Sequence, residues 1–141
     1  MPLRFLNAHA DRSTEWLSAL IMVGWAVVLA QPGEAFTISP IFGEYLRSEI
    51  TETRLAVAFC IVGISRCVVL YINGRWPKSP LMRMLGSGIG CVLWGQVATI
   101  QAISTSHTGQ WTTGFVVYGL LSLSELACVY RAAFDARYQR R

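Results

Sequence analysis

Two charged residues, Arg66 and Glu125, stand inside long apolar runs and are the side chains best placed to do chemistry. A charge inside a membrane-spanning helix costs about 3 kcal/mol or more unless it is paired or hydrated. Arg66 lies seven residues before Asn73, near the end of its run, and Glu125 lies six residues before Arg131. If both runs are helices that cross in the same direction, the charges lie at nearly equal depth.

This spacing predicts an Arg66–Glu125 ion pair inside the membrane. The pair could serve as a proton or ion site. It could instead be a structural clamp, or Arg66 could extend its guanidinium to lipid phosphates. The clamp or lipid contact is the favoured interpretation, because transport requires an ionisable group that is free to change its charge.

Two further polar side chains, Gln96 and Gln101, lie in a third apolar run. Amides in a membrane helix form hydrogen bonds across helices. They are therefore predicted to hold helices together, with the lining of a polar pore as the functional alternative.

The residue types needed for metal, cofactor or nucleophilic chemistry are not grouped in this chain. His9 and His107 are predicted to lie on opposite sides of the membrane, and no zinc-protease, phosphate-loop or nucleophile-elbow motif occurs. The four cysteines all lie in apolar runs and lack CxxC spacing, which is typical of apolar packing rather than of a disulfide framework. They are Cys60, Cys67, Cys91 and Cys128. We expect no enzymatic activity, no metal and no cofactor.

The composition of the chain indicates which secondary-structure elements carry Arg66, Glu125 and the two glutamines. Hydrophobic residues make up 53% of the 141-residue chain and charged residues only 14%, against roughly 25% charged in a soluble domain. The apolar runs are long enough for membrane helices and have almost no polar face, unlike the helices of a soluble bundle. The sequence predicts an all-α, integral membrane four-helix bundle, a single domain over residues 1–141. The four spans are 13–31, 54–72, 81–104 and 113–130.

The first span has an alternative interpretation as a cleavable secretory signal. Arg4 and Arg12 precede an apolar core, and Val28-Leu29-Ala30 resembles a cleavage site. Trp25 is unusual inside a signal core, so we favour a retained span.

The basic residues are distributed unevenly between the two predicted sides. Short-loop Lys and Arg mark the cytoplasmic side, which places both termini in the cytoplasm. The basic residues also indicate contacts with anionic lipids rather than with nucleic acid. Nine fall on the inner side (Arg4, Arg12, Arg75, Lys78, Arg83, Arg131, Arg137, Arg140 and Arg141) and two on or near the outer side (Arg47 and Arg54).

The first outer loop contains a helical pattern. Ser39-Pro40 is typical of a helix start, and apolar residues then recur at helical spacing at 41, 42, 45 and 46. The pattern predicts a short amphipathic helix on the outer leaflet, with a loop packed over the span ends as the alternative.

Small residues follow two faces of the third span, and small residues allow close approach of membrane helices. We expect this span to lie centrally, or to pack inside on one face and against another copy or a membrane-protein partner on the other. One face carries Gly88, Cys91, Gly95, Thr99 and Ala102, and the other carries Gly86 and Gly90.

Three stretches together resemble small four-span membrane proteins encoded by tailed bacteriophages and prophages. They are RSTEWLSALIMVGWAVVLAQPGEAF, NGRWPKSPLMRMLGSGIGCVLW and ELACVYRAAFDAR. The resemblance implies a bacterial inner membrane and phage-linked biology, and it carries no functional residues across.

Three functions are compatible with these features. The favoured one is a non-enzymatic inner-membrane protein that oligomerises and alters host membrane permeability or entry, as holins do. The alternatives are an interaction subunit of a larger membrane assembly, and a small proton- or ion-coupled transporter that uses Glu125 and the glutamines.

Overall fold

The structure, a computed structural model, describes residues 12–32, 42, 50–72, 79–109 and 111–138. This part of the chain is all-α, with four helices and no strands. The helices are α1 (Ser13–Leu29), α2 (Glu52–Ile72), α3 (Ser79–Thr108) and α4 (Thr113–Tyr138). The prediction of four helices is confirmed.

The helix boundaries follow local chemistry. The Thr51 hydroxyl accepts a hydrogen bond from the Arg54 backbone N–H at 3.3 Å, which caps the start of α2. Pro80 lies in the first turn of α3, where its missing N–H costs nothing. Gly109 ends α3 with a φ of 70°, and its N–H donates to the Thr105 carbonyl at 2.8 Å.

α3 and α4 continue at their C-terminal ends beyond the predicted spans, whereas α2 and α3 begin two residues earlier than predicted and α1 ends two residues earlier. Beyond Ser104, the hydroxyls of Thr105 and Ser106 donate to carbonyls of the same helix at 2.8 and 2.6 Å, so these polar side chains are satisfied within the last turns of α3. α4 continues past Tyr130 because its last turns contain no glycine or proline.

The helices pack as two antiparallel hairpins. The most extensive contacts are between α1 and α2 and between α3 and α4, and further contacts join α2 to α3 and α1 to α4. The starts of α1 and α3 lie beside the last turns of α4, since Arg83 contacts both Glu15 and Asp135. We call this end of the bundle, which also carries Arg12 and Arg131, the basic end.

An aromatic cluster fills the half of the bundle away from the basic end. Trp25 lies at its centre, with ring centroids 5.2 Å from Phe59, 5.5 Å from Trp94 and 5.2 Å from Tyr118. Trp94 and Tyr118 stack nearly parallel at 5.7 Å. All four helices therefore contribute one ring to a shared core.

Two of the described helices, α2 and α4, are long and apolar enough to cross a membrane, and α1 is apolar but shorter. The predicted amphipathic helix at 39–48 lies outside the described residues apart from Phe42. The Phe42 ring meets that of Trp25 edge to face, with centroids 6.3 Å apart.

Candidate functional site

A cluster of polar side chains, here called the central cluster, lies between the aromatic core and the basic end. Arg66 on α2 and Glu125 on α4 are both buried, and Nη1 of Arg66 contacts Oε1 of Glu125. The Ser18 hydroxyl donates to the same carboxylate oxygen. Nη2 of Arg66 donates to the Ser87 hydroxyl at 3.3 Å, and Nη1 lies 3.6 Å from Sδ of Met22. Each of the four helices supplies at least one side chain to this cluster.

Two glycines of α3 make room for the ion pair. A Cβ at Gly86 would lie 3.0 Å from Cγ of Arg66, and one at Gly90 would lie 2.8 Å from Oε1 of Glu125 and 3.0 Å from Cε of Met22. The sequence predicted close helix packing at these glycines. In the structure their small size is needed because charged side chains of α2 and α4 cross the bundle there.

The other small-residue face of α3 divides into two parts. Cys91 and Gly95 lie against α4, where the Ser122 hydroxyl donates to the Cys91 carbonyl at 3.0 Å and would lie 3.3 Å from a Cβ at Gly95. A Cβ at Gly88 would meet no atom within 4 Å, and Thr99 is exposed. Gly88 and Thr99 therefore lie open to the outside of the bundle on one side of α3, one on each side of the contact that Gly95 makes with α4; these two small, open positions are together called the open strip.

A second ion-pair cluster, here called the end cluster, lies at the basic end. Nε of Arg83 on α3 donates to Oε2 of Glu15 on α1 at 2.8 Å, and its Nη2 contacts Oε1 of the same carboxylate. Nη1 of Arg83 donates to Oδ2 of Asp135 on α4 at 2.9 Å. Arg83 is 5% exposed and Glu15 2%, so the fork-shaped guanidinium is neutralised from two sides.

Sequence reasoning missed the end cluster. It counted Arg83 only as a basic residue that marks the inner side, and it gave Glu15 and Asp135 no partner. Glu15 and Arg83 stand near the starts of two helices that run in the same direction, so they lie at nearly equal depth, as Arg66 and Glu125 do.

The two glutamines of α3 differ in their surroundings. Gln101 is buried near the α3–α4 connection, and its Oε1 accepts a hydrogen bond from the Thr112 hydroxyl at 2.8 Å. It packs tightly on Gly114 of α4. Gln96 is half-buried. The Gln101 contacts hold the α3–α4 hairpin together at its closed end.

The Arg66–Glu125 pair makes the central cluster electrically neutral, but one oxygen of the carboxylate accepts no hydrogen bond from the described residues. Arg66 and Glu125 cancel each other in charge, which removes most of the cost of burying either alone. Oε2 of Glu125 is nevertheless buried without a hydrogen-bond partner in the described part of the chain. Such a carboxylate can act as a clamp, and its second oxygen is a point at which a proton could bind.

Within the described residues no group of three His, Cys, Asp or Glu side chains is placed to hold a metal ion. Comparison of the chain with protein-family models, curated protein sequences and solved structures finds no match. Function must therefore be argued from the residues themselves.

Proposed function

We propose that this chain is a non-enzymatic, multi-pass protein of a bacterial inner membrane, in which all four helices cross the bilayer. The observation that carries the proposal is the inverted polarity of the bundle. Charged side chains are buried between the helices, while large apolar side chains on every helix face outward. The buried charges are Glu15, Arg66, Arg83 and Glu125, and the outward residues include Leu20, Ile61, Val92 and Leu123, which are 57–70% exposed.

The low burial of the two helices that are long and apolar enough to cross a membrane supports the same placement. Only 33% of the apolar window of α2 and 11% of that of α4 is buried inside the protein. A comparably apolar helix in a soluble protein would lie mostly in the core, because water disfavours a large exposed apolar surface. Lipid tails impose no such penalty.

The proposed orientation places the basic end in the cytoplasm. Arg12, Arg83 and Arg131 converge at this end, which matches the bias of basic residues towards cytoplasmic loops. A reporter enzyme active only in the cytoplasm, fused after residue 141, should be active. A reporter active only outside the cytoplasm should be active when it is inserted between residues 31 and 50.

Within the membrane, we propose a holin-like role in which several copies associate and alter permeability. Trp25, Phe59 and Trp94 fill the interior of one copy, so a permeable path would have to form between copies. The open strip at Gly88 and Thr99 offers α3 a face for close approach to another helix. The phage context rests on the three sequence stretches quoted above.

Induced expression in bacteria, followed with a potential-sensitive dye, tests this role. We expect growth to stop and the membrane potential to collapse. Gly88→Leu should weaken the effect because it fills the open strip. Gly24→Leu is the matched control, because a Cβ at Gly24 on α1 also meets no atom within 4 Å. Normal growth with an intact potential at high chain levels would refute the holin-like role.

A transporter remains a second candidate because Oε2 of Glu125 is buried with no hydrogen-bond partner in the part of the chain that the structure describes. The intact contact with Arg66 favours the clamp over this role. If Glu125 serves only as a clamp, vesicles containing the purified chain should show no proton flux. A proton flux that is lost in Glu125→Gln would support the transporter instead.

If the open strip docks a different membrane protein, that protein should co-purify with the chain in mild detergent, and it should be lost in Gly88→Leu.

A further inference from the structure

A cleft of about 680 Å³ opens at the basic end beside the end cluster. Three arginines line it: Arg12 before the start of α1, Arg83 on α3 and Arg131 on α4. Glu15 and Asp135 also line it, and both are paired with Arg83. Three positive and two negative side chains leave a net charge of +1 in the cleft.

The charges in the cleft are arranged unevenly. Arg83 forms the buried floor, where its charge is more than balanced by the two carboxylates of Glu15 and Asp135. Arg131 is exposed and Arg12 half-buried, so both of these guanidinium groups lie towards the rim. The first turn of α1 begins here and its N-terminus favours anions, whereas the last turns of α4 at the same end favour cations, so the two arginines of the rim decide the sign of the ligand. The rim therefore suits a phosphate oxyanion better than a cation.

Two aromatic residues place an apolar surface beside this basic rim. Tyr130 and Phe134 also line the cleft and are 76% and 53% exposed. Under the proposed membrane placement, Tyr130 lies at the headgroup level, where tyrosine is enriched. A ligand with a phosphate head and acyl chains fits this pairing of charge and apolar surface, whereas free phosphate uses only the charge.

We propose that the cleft binds the phosphodiester headgroup of an anionic phospholipid from the cytoplasmic leaflet. Arg12 and Arg131 contact the phosphate, Tyr130 and Phe134 contact the glycerol and the upper acyl chain, and the end cluster holds α1, α3 and α4 in place beneath them. Basic pockets between membrane helices are suited to such headgroups. The inference rests on the proposed membrane placement.

Native mass spectrometry of the full chain in neutral detergent tests the site. Phosphatidylglycerol should be retained at concentrations about tenfold lower than phosphatidylcholine, because the rim arginines attract the anionic headgroup. The double variant Arg12→Gln with Arg131→Gln should lose this preference. Arg54→Gln, an exposed arginine at the start of α2 and thus at the other end of the bundle, should keep it.

Three results would overturn the proposal: equal retention of the two lipids, an unchanged preference in the double variant, or the same loss in Arg54→Gln. A further arm adds inorganic phosphate. Displacement of the lipid by an equal concentration of phosphate would assign the site to the free anion and refute a lipid site. Binding of the lipid unaffected by phosphate is the expected result.

Alkaline carbonate extraction of cell membranes separates this inference from the membrane placement itself. A chain that stays in the membrane pellet but shows no headgroup preference refutes the lipid site alone. A chain released into the soluble fraction refutes the membrane placement and the inference together.

Discussion

Removal of the charge on Glu125 is the most direct perturbation of the central cluster. In Glu125→Gln the shape of the side chain is kept, but Arg66 stays buried with only neutral partners, the hydroxyls of Ser18 and Ser87 and the sulfur of Met22. If the amide oxygen takes the place of Oε1, the new NH₂ group stands at the position of Oε2, which has no hydrogen-bond partner among the described residues. Breaking a buried ion pair from one side costs about 3–5 kcal/mol, because a charge is left uncompensated. A loss of about 3 kcal/mol corresponds to roughly a 150-fold shift of the unfolding equilibrium.

Unfolding in mixed micelles with increasing SDS, followed by tryptophan fluorescence, measures this loss. Trp25 and Trp94 report on the core because both lie in the aromatic cluster. Glu125→Gln should unfold at a clearly lower SDS fraction. The double variant with Arg66→Gln should recover much of the loss, with a coupling energy of about 2–3 kcal/mol.

Glu52→Gln, at the start of α2, is the control for exchanging a carboxylate for an amide, and it should cost no more than about 1 kcal/mol. An unfolding midpoint for Glu125→Gln equal to that of the unsubstituted chain would refute the clamp. A double variant no more stable than Glu125→Gln would refute the coupling.

The same unfolding assay tests two further features. Gly90→Ala should cost about 1–3 kcal/mol, because its Cβ would lie 2.8 Å from Oε1 of Glu125, whereas Gly88→Ala should be neutral or slightly stabilising. Trp25→Ala should lower the free energy of unfolding by about 2–6 kcal/mol, since it removes four ring contacts worth about 0.5–1.5 kcal/mol each. Trp111→Ala is the control, and it should cost less than about 1 kcal/mol because Trp111 is 78% exposed. Equal losses within either pair of variants would contradict the corresponding packing argument.

Hydropathy predicted where the helices lie because each is built around a long, mainly apolar run. It did not predict how far α3 and α4 extend, since hydropathy ends where polar residues begin, while a helix ends only where its hydrogen bonding fails. Thr105 illustrates the difference, because its hydroxyl bonds to its own helix and allows a polar turn to continue.

The sequence was less informative about which face of each helix points inward. Helices that are apolar on all sides carry no pattern that separates a lipid-facing side from an interior side. Trp25 and Trp94 could therefore have faced either lipid or the core, and they lie in the core. Charged residues were the exception, since an isolated charge must find a partner, and that argument placed Arg66 beside Glu125.

The order of the charges along the chain has a consequence for biogenesis. Arg66 and Glu125 are 59 residues apart, and Glu15 and Arg83 are 68 apart. At about 5–20 residues per second, a ribosome needs about 3–12 s to reach Glu125 after it has made Arg66. Under the proposed membrane placement, the first charged residue of each pair enters the membrane well before its partner has been synthesised. The nascent chain would have to hold α1 and α2 at the insertion machinery, or in contact with anionic lipid, until the second hairpin arrives.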